Sequence, residues 1–73
     1  MVWLPLNEVT DEGEVYTVFN MDHVLKIQRG PSEKTTRMVV SLMPEVSFVV
    51  KERPDIIRQM LIAHRIAEYY RTG

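Results

Sequence analysis

The spacing of apolar residues changes at Pro54, and this change constrains the fold more than any other feature of the sequence. Before Pro54, apolar and polar residues largely alternate, which is typical of half-buried strands. After it, apolar residues recur at helical spacings, and Pro54 and Asp55 suit the first turn of a helix. The sequence therefore predicts a β-rich segment over residues 2–51 and a helix over residues 54–71.

Turn residues divide the β-rich segment into strands. Asp11-Glu12-Gly13 predicts a hairpin turn, Asn20 is expected to cap a short break, and residues 30–34 form the clearest loop. Residues 2–6 predict only a weak strand at a sheet edge or an extended arm, because Pro5 cannot donate a ladder hydrogen bond. The expected architecture is α+β: a four- or five-stranded antiparallel sheet packed by one C-terminal helix.

The alternation also assigns a core. In the strand that follows the loop, Thr36, Met38, Val40 and Leu42 share one side, and Val39 falls outside this pattern. The residues expected to form the core are Leu25, Ile27, Val40, Phe48, Ile57 and Leu61.

Size and composition predict one soluble domain spanning residues 1–73. A chain of 73 residues has too little apolar material for two cores, and without cysteine it has no disulfide or thiolate site. No apolar run approaches the roughly 18 residues of a membrane span. Residues 1–6 lack the basic start of a secretory signal. We therefore expect a cytoplasmic protein without membrane insertion.

The candidate chemistry is sparse. His64 and Glu68 have the i,i+4 spacing that places two metal ligands side by side, but a structural zinc site needs four donors and nothing completes the set. No serine lies in a nucleophile turn beside a base. The sequence predicts a protein that is not an enzyme and has no catalytic residue, metal site or cofactor.

The predicted helix carries more apolar surface than one face of a small sheet can cover. One explanation is that the helix lies deep and the opening segment covers its outer side. The preferred interpretation is a surface for homo-oligomerisation, since large aromatic residues are enriched at interfaces. The residues assigned to it are Trp3, as the anchor of the arm, and Ile62, Ile66, Tyr69 and Tyr70.

A nucleic-acid-binding module is the alternative. Several basic residues fall on predicted strands or adjoining loops and could form one basic sheet face, with Tyr16 or Phe48 stacking on bases. The residues of this face are Lys26, Arg29, Arg37 and Lys51. The net charge of −1 is opposite to the usual basic footprint, so we prefer a structural or regulatory protein whose heterologous partner is unknown.

Residues 19–27 contain an Asn-x-Asp turn, residues 35–42 form a hydrophobic strand that starts with threonine, and Val49-Val50-Lys51-Glu52 leads into the helix. Over about residues 16–57, the chain resembles the FlbD-like family of small bacterial proteins. The resemblance implies a bacterial, cytoplasmic accessory protein that has no known catalysis and is connected with flagella and swarming motility. It assigns no functional residue.

Overall fold

The computed structural model describes residues 2–72, with side chains for residues 2–64. The chain forms a five-stranded antiparallel sheet followed by one α-helix, so the predicted α+β architecture is confirmed. The elements are β1 (Trp3–Thr10), β2 (Gly13–Asn20), a 3-10 helix (Met21–His23), β3 (Lys26–Arg29), β4 (Thr36–Leu42), β5 (Glu45–Val50) and α1 (Pro54–Thr72).

The strand order is β2-β1-β5-β4-β3, which is the order of a ring that is open between β2 and β3. The ring centroids of Phe19 in β2 and Phe48 in β5 lie 5.8 Å apart, so the two side chains contact each other across β1. The 3-10 helix connects the two edge strands. Its cap is as predicted: the Asn20 side-chain oxygen accepts a hydrogen bond from the Asp22 N–H at 3.1 Å.

The placement of residues 2–6 in an edge strand or arm is wrong, because β1 lies inside the sheet between β2 and β5. The backbone N–H and C=O of Asn7 bond to residues that follow β5, so odd-numbered residues of β1 direct these groups away from β2. Pro5 is one of them, and it lies beyond the single β1–β5 residue pair, Glu8 with Val50. The missing N–H of Pro5 therefore interrupts no ladder bond.

The core lies between the sheet and α1. Its buried members are Leu4, Leu6, Met21, Met38, Val50 and Ile57. Of the predicted core, Ile57 is fully buried, and Ile27 and Leu61 pack against the cluster. Val40 and Phe48 are half-buried. Leu25 was assigned wrongly: it is 58% exposed, because it precedes β3 and strand alternation does not yet apply there.

A β-bulge in β4 explains the irregular pattern of this strand. The pairing with β5 shifts between Val39 and Ser41, so Val40 is an extra residue and the alternation changes phase. Leu42, predicted to share the side of Met38, therefore lies on the other face and is exposed. Val39 precedes the shift and is fully buried, but it is not part of the core cluster.

Glu52 joins the β1–β2 hairpin to the rest of the sheet where β1 and β5 lose their pairing. Its carboxylate accepts from the Asn7 backbone N–H at 3.0 and 3.2 Å and from the Asn7 side-chain amide at 3.0 Å. Its backbone carbonyl accepts from the hydroxyl of the fully buried Thr36 at 2.7 Å. The neighbouring Lys51 N–H donates to the Asn7 carbonyl at 2.7 Å. Glu52 thus replaces the next residue pair of the ladder and connects β1, β4 and the start of α1.

We expect Glu52→Ala to lower the free energy of unfolding by about 1–3 kcal/mol, because it leaves the part-buried donors of Asn7 without acceptors. Urea unfolding measures the change. Glu45→Ala is the matched control, since Glu45 is exposed at the start of β5, and it should shift stability by no more than about 0.5 kcal/mol. Equal effects of the two substitutions would contradict the role of Glu52 as a connection.

Adjacent isoleucines in α1 allow a matched test of the core. Ile57 is fully buried and Ile56 is 41% exposed. We expect Ile57→Ala to cost about 2–5 kcal/mol through lost burial and a cavity, and Ile56→Ala to cost much less. Thermal or urea unfolding of the two variants checks this order, and the reverse order would show that α1 packs through a different face.

Candidate interaction surface

The β1–β2 hairpin has a buried and an exposed face. Leu4 and Leu6 of β1 point into the core, so odd-numbered residues of β1 and their partners on β2 lie on the other face. The register pairs Pro5 with Val18 and Asn7 with Tyr16, and cross-strand partners share a face. We call the apolar residues of this outer face the hairpin patch; they are Trp3, Pro5, Val9, Tyr16 and Val18.

The hairpin patch is substantially open to solvent. The exposed fractions are 71% for Tyr16, 50% for Val18, 49% for Trp3 and 41% for Val9. Apart from Glu14, opposite Val9, this face of the hairpin carries neutral residues where the two strands pair. Aromatic residues on a surface depleted of charge are typical of the centre of a protein–protein interface.

A shallow groove extends the hairpin patch toward α1. It has a volume of about 380 Å³ and is lined mainly by apolar atoms of Trp3, Leu4, Pro5, Met60, Ala63 and His64. The β1 residues of the groove belong to the part of this strand that extends past β5. The groove makes the hairpin patch continuous with one flank of the helix.

The structure separates the predicted interface residues. Trp3 and Ile62 are both about half exposed, and Trp3 belongs to the hairpin patch. Ile62 does not line the groove, because residues two apart in a helix, such as Met60 and Ile62, lie about 200° apart around its axis. Trp3 and Ile62 therefore belong to different surfaces. Ile66, Tyr69 and Tyr70 lie outside the residues whose side chains the structure describes.

The predicted basic face is dispersed. Lys26 and Arg37 share the outer face, but Arg37 is half-buried and donates to the Ser47 hydroxyl at 3.2 Å. Arg29 pairs with Thr36 and so lies on the opposite face, where it lines a cleft with Arg53 and two acidic residues. The Lys51 ammonium lies 3.3 Å from the Glu14 carboxylate, an exposed pair that contributes less than about 1 kcal/mol.

Among the described residues, no group of three His, Cys, Asp or Glu side chains is placed to hold an ion. No helix in this part of the chain combines the length and hydropathy needed to cross a membrane. Within the same residues the buried Nδ1 of His64 has no hydrogen-bond partner. Glu68, the residue considered with His64 as a ligand pair, lies outside the described side chains.

The hairpin patch is not among the predictions, because residues 2–6 are predicted only as a weak edge strand or an arm, which leaves their register with β2 unspecified. Tyr16 was considered only as a base-stacking residue, and Val18 was not selected. The signal available in the sequence is the absence of Lys and Arg from residues 1–25 together with two apolar residues at alternate positions, Tyr16 and Val18.

Comparison of the chain with protein-family models, with curated proteins and with solved structures finds no match.

Proposed function

We propose that this protein is a non-enzymatic, structural or regulatory accessory protein of the cytoplasm that acts by associating with copies of itself. The exposed hairpin patch is the observation that supports the proposal. Its residues are neighbours across a regular strand pair, so they form a contiguous apolar surface rather than scattered exposed side chains. The resemblance to FlbD-like proteins extends the proposal to a motility-related setting.

The net charge of the chain is compatible with a second copy as the partner. With a net charge of −1, two copies repel each other little at neutral pH. A highly charged partner would find no matching field on the hairpin patch, because the pairing positions of this face hold one ionisable carboxylate, Glu14, and that group already lies beside Lys51.

Sedimentation equilibrium at micromolar concentration should give a mass of at least twice the 8.6 kDa of the chain. Tyr16→Glu should weaken the association, because it places a charge in the hairpin patch. Met43→Glu is the control: Met43 is 95% exposed but lies in the β4–β5 turn, so this variant should associate as the original protein does. A mass of 8.6 kDa at every concentration would overturn the proposal.

Nucleic-acid binding remains the second candidate, because exposed Lys26 and half-buried Arg37 share one face of β3 and β4. If this face binds phosphates, the protein should retard DNA or RNA at physiological salt, and Lys26→Glu with Arg37→Glu should weaken the retardation. Absence of retardation in the original protein would remove this candidate.

A further inference from the structure

β2 is an unprotected edge strand. It pairs with β1 on one side, and the described residues provide no backbone partner on the other. It spans eight residues without a bulge, proline, lysine or arginine. Natural sheets usually protect their edges with such features, because an open row of N–H and C=O groups recruits another strand.

The register shows which groups of β2 are available. The backbone N–H and C=O of Asn7 point away from β2. Because Tyr16 is the cross-strand partner of Asn7, the backbone N–H and C=O of Tyr16 point away from β1. The same alternation applies to Glu14 and Val18. The outer edge of β2 therefore presents the N–H and C=O groups of these residues, with Tyr16 and Val18 among the exposed side chains beside them.

The other edge of the sheet is protected. β3 has four residues, begins with Lys26 and ends with Arg29. Short length and terminal cations both oppose pairing with another strand. Of the two outermost strands of the sheet, β2 is therefore the one whose edge is unprotected.

We propose that two copies of the chain pair through their β2 strands, antiparallel about a two-fold axis at Thr17, to form one continuous ten-stranded sheet. This inference rests on the proposed function and specifies its geometry. In a pairing centred on Thr17, residues equally far before and after Thr17 lie opposite each other. Each residue whose backbone N–H and C=O point to the open edge therefore faces a residue of the same kind on the second copy, and the backbone hydrogen bonds can form.

The side chains of β2 are complementary to themselves in this register. Tyr16 lies opposite Val18 of the second copy and Val15 lies opposite Phe19, each pair occurring twice. Thr17 meets Thr17 at the axis, and Glu14 meets the neutral Asn20. Aromatic with β-branched and Thr with Thr are favourable cross-strand pairs, and no like charges oppose each other within β2. This self-complementarity identifies a second copy, rather than an unrelated peptide, as the occupant of the edge.

Val18→Pro tests the edge directly. The N–H of Val18 faces outward and has no partner within the chain, so proline removes it without breaking the β1–β2 ladder. In the dimer the same substitution removes two intermolecular hydrogen bonds and should raise the dimer dissociation constant at least about tenfold. Val18→Thr, which retains the N–H and the β-branched shape, is the matched control and should leave the constant within about threefold.

Thr17→Cys tests the axis independently of the proline variant. The chain has no cysteine, so the introduced thiols can only pair between copies. The two Thr17 residues would form a non-hydrogen-bonded antiparallel pair, in which the Cα atoms are about 4.5 Å apart. This distance is within the range of about 4.4–6.8 Å that a disulfide requires. We expect Thr17→Cys to form a covalent dimer under mild oxidation much faster than Gln59→Cys, a control at an exposed site on α1.

The outcomes separate this inference from the proposed function. If the original protein has a mass of 8.6 kDa throughout, both are wrong. If it associates but folded Val18→Pro and Val18→Thr have the same dissociation constant, the proposed function stands and pairing through β2 is wrong. If circular dichroism shows that Val18→Pro does not fold, the cysteine pair decides, and cross-linking of Thr17→Cys no faster than Gln59→Cys overturns the inference.

Discussion

The fold depends on the side chain of Glu52, whose carboxylate takes the place of a neighbouring strand as the hydrogen-bond acceptor for β1. The β1–β2 hairpin pairs with β5 through one residue pair, and beyond it the backbone of Asn7 would face no acceptor. The Glu52 carboxylate provides that acceptor, and the Glu52 carbonyl satisfies the buried hydroxyl of Thr36 at the same time. A buried polar group without a partner costs more than a typical hydrogen bond contributes, so these contacts determine where the hairpin can lie.

This connection also determines which surfaces remain open. Because the pairing of β1 with β5 ends near Glu52, the first residues of β1 extend past β5 and line a groove together with α1. The hairpin buries Leu4 and Leu6 on its inner face, while most of its outer face is exposed and β2 forms one edge of the sheet. In a domain this small the helix covers one side of the hairpin, which leaves the other side available for contact.

Structure that depends on neighbouring residues is predictable from the sequence. The change of periodicity at Pro54, the turn around Gly13 and the cap at Asn20 are of this kind, and the structure has a helix, a turn and a cap there. Structure that depends on contacts between distant residues is not predictable in this way. The position of Pro5 inside the sheet depends on β5 ending early, and the bulge at Val40 reverses the phase of β4 without a local signal. The bond from Asn7 to Glu52 spans 45 residues and could not be predicted from spacing.

The candidate surface follows the same rule. Trp3 was selected for its chemistry, and its exposure depends on local strand geometry, so the structure places it on an open surface. Trp3 lies on the same surface as Tyr16 and Val18 because of the register of the hairpin, which the turn at residues 11–12 sets. This register is not predicted, because residues 2–6 give only a weak strand signal. The register fixes both which side chains of β2 lie on the outer face and which backbone groups point to its free edge. The alternation that buries Leu6 directs the side chain of Tyr16 outward and its backbone groups toward the open edge. An apolar face and an unpaired backbone therefore occur on the same residues, and a partner strand that satisfies the backbone extends this apolar face across both copies.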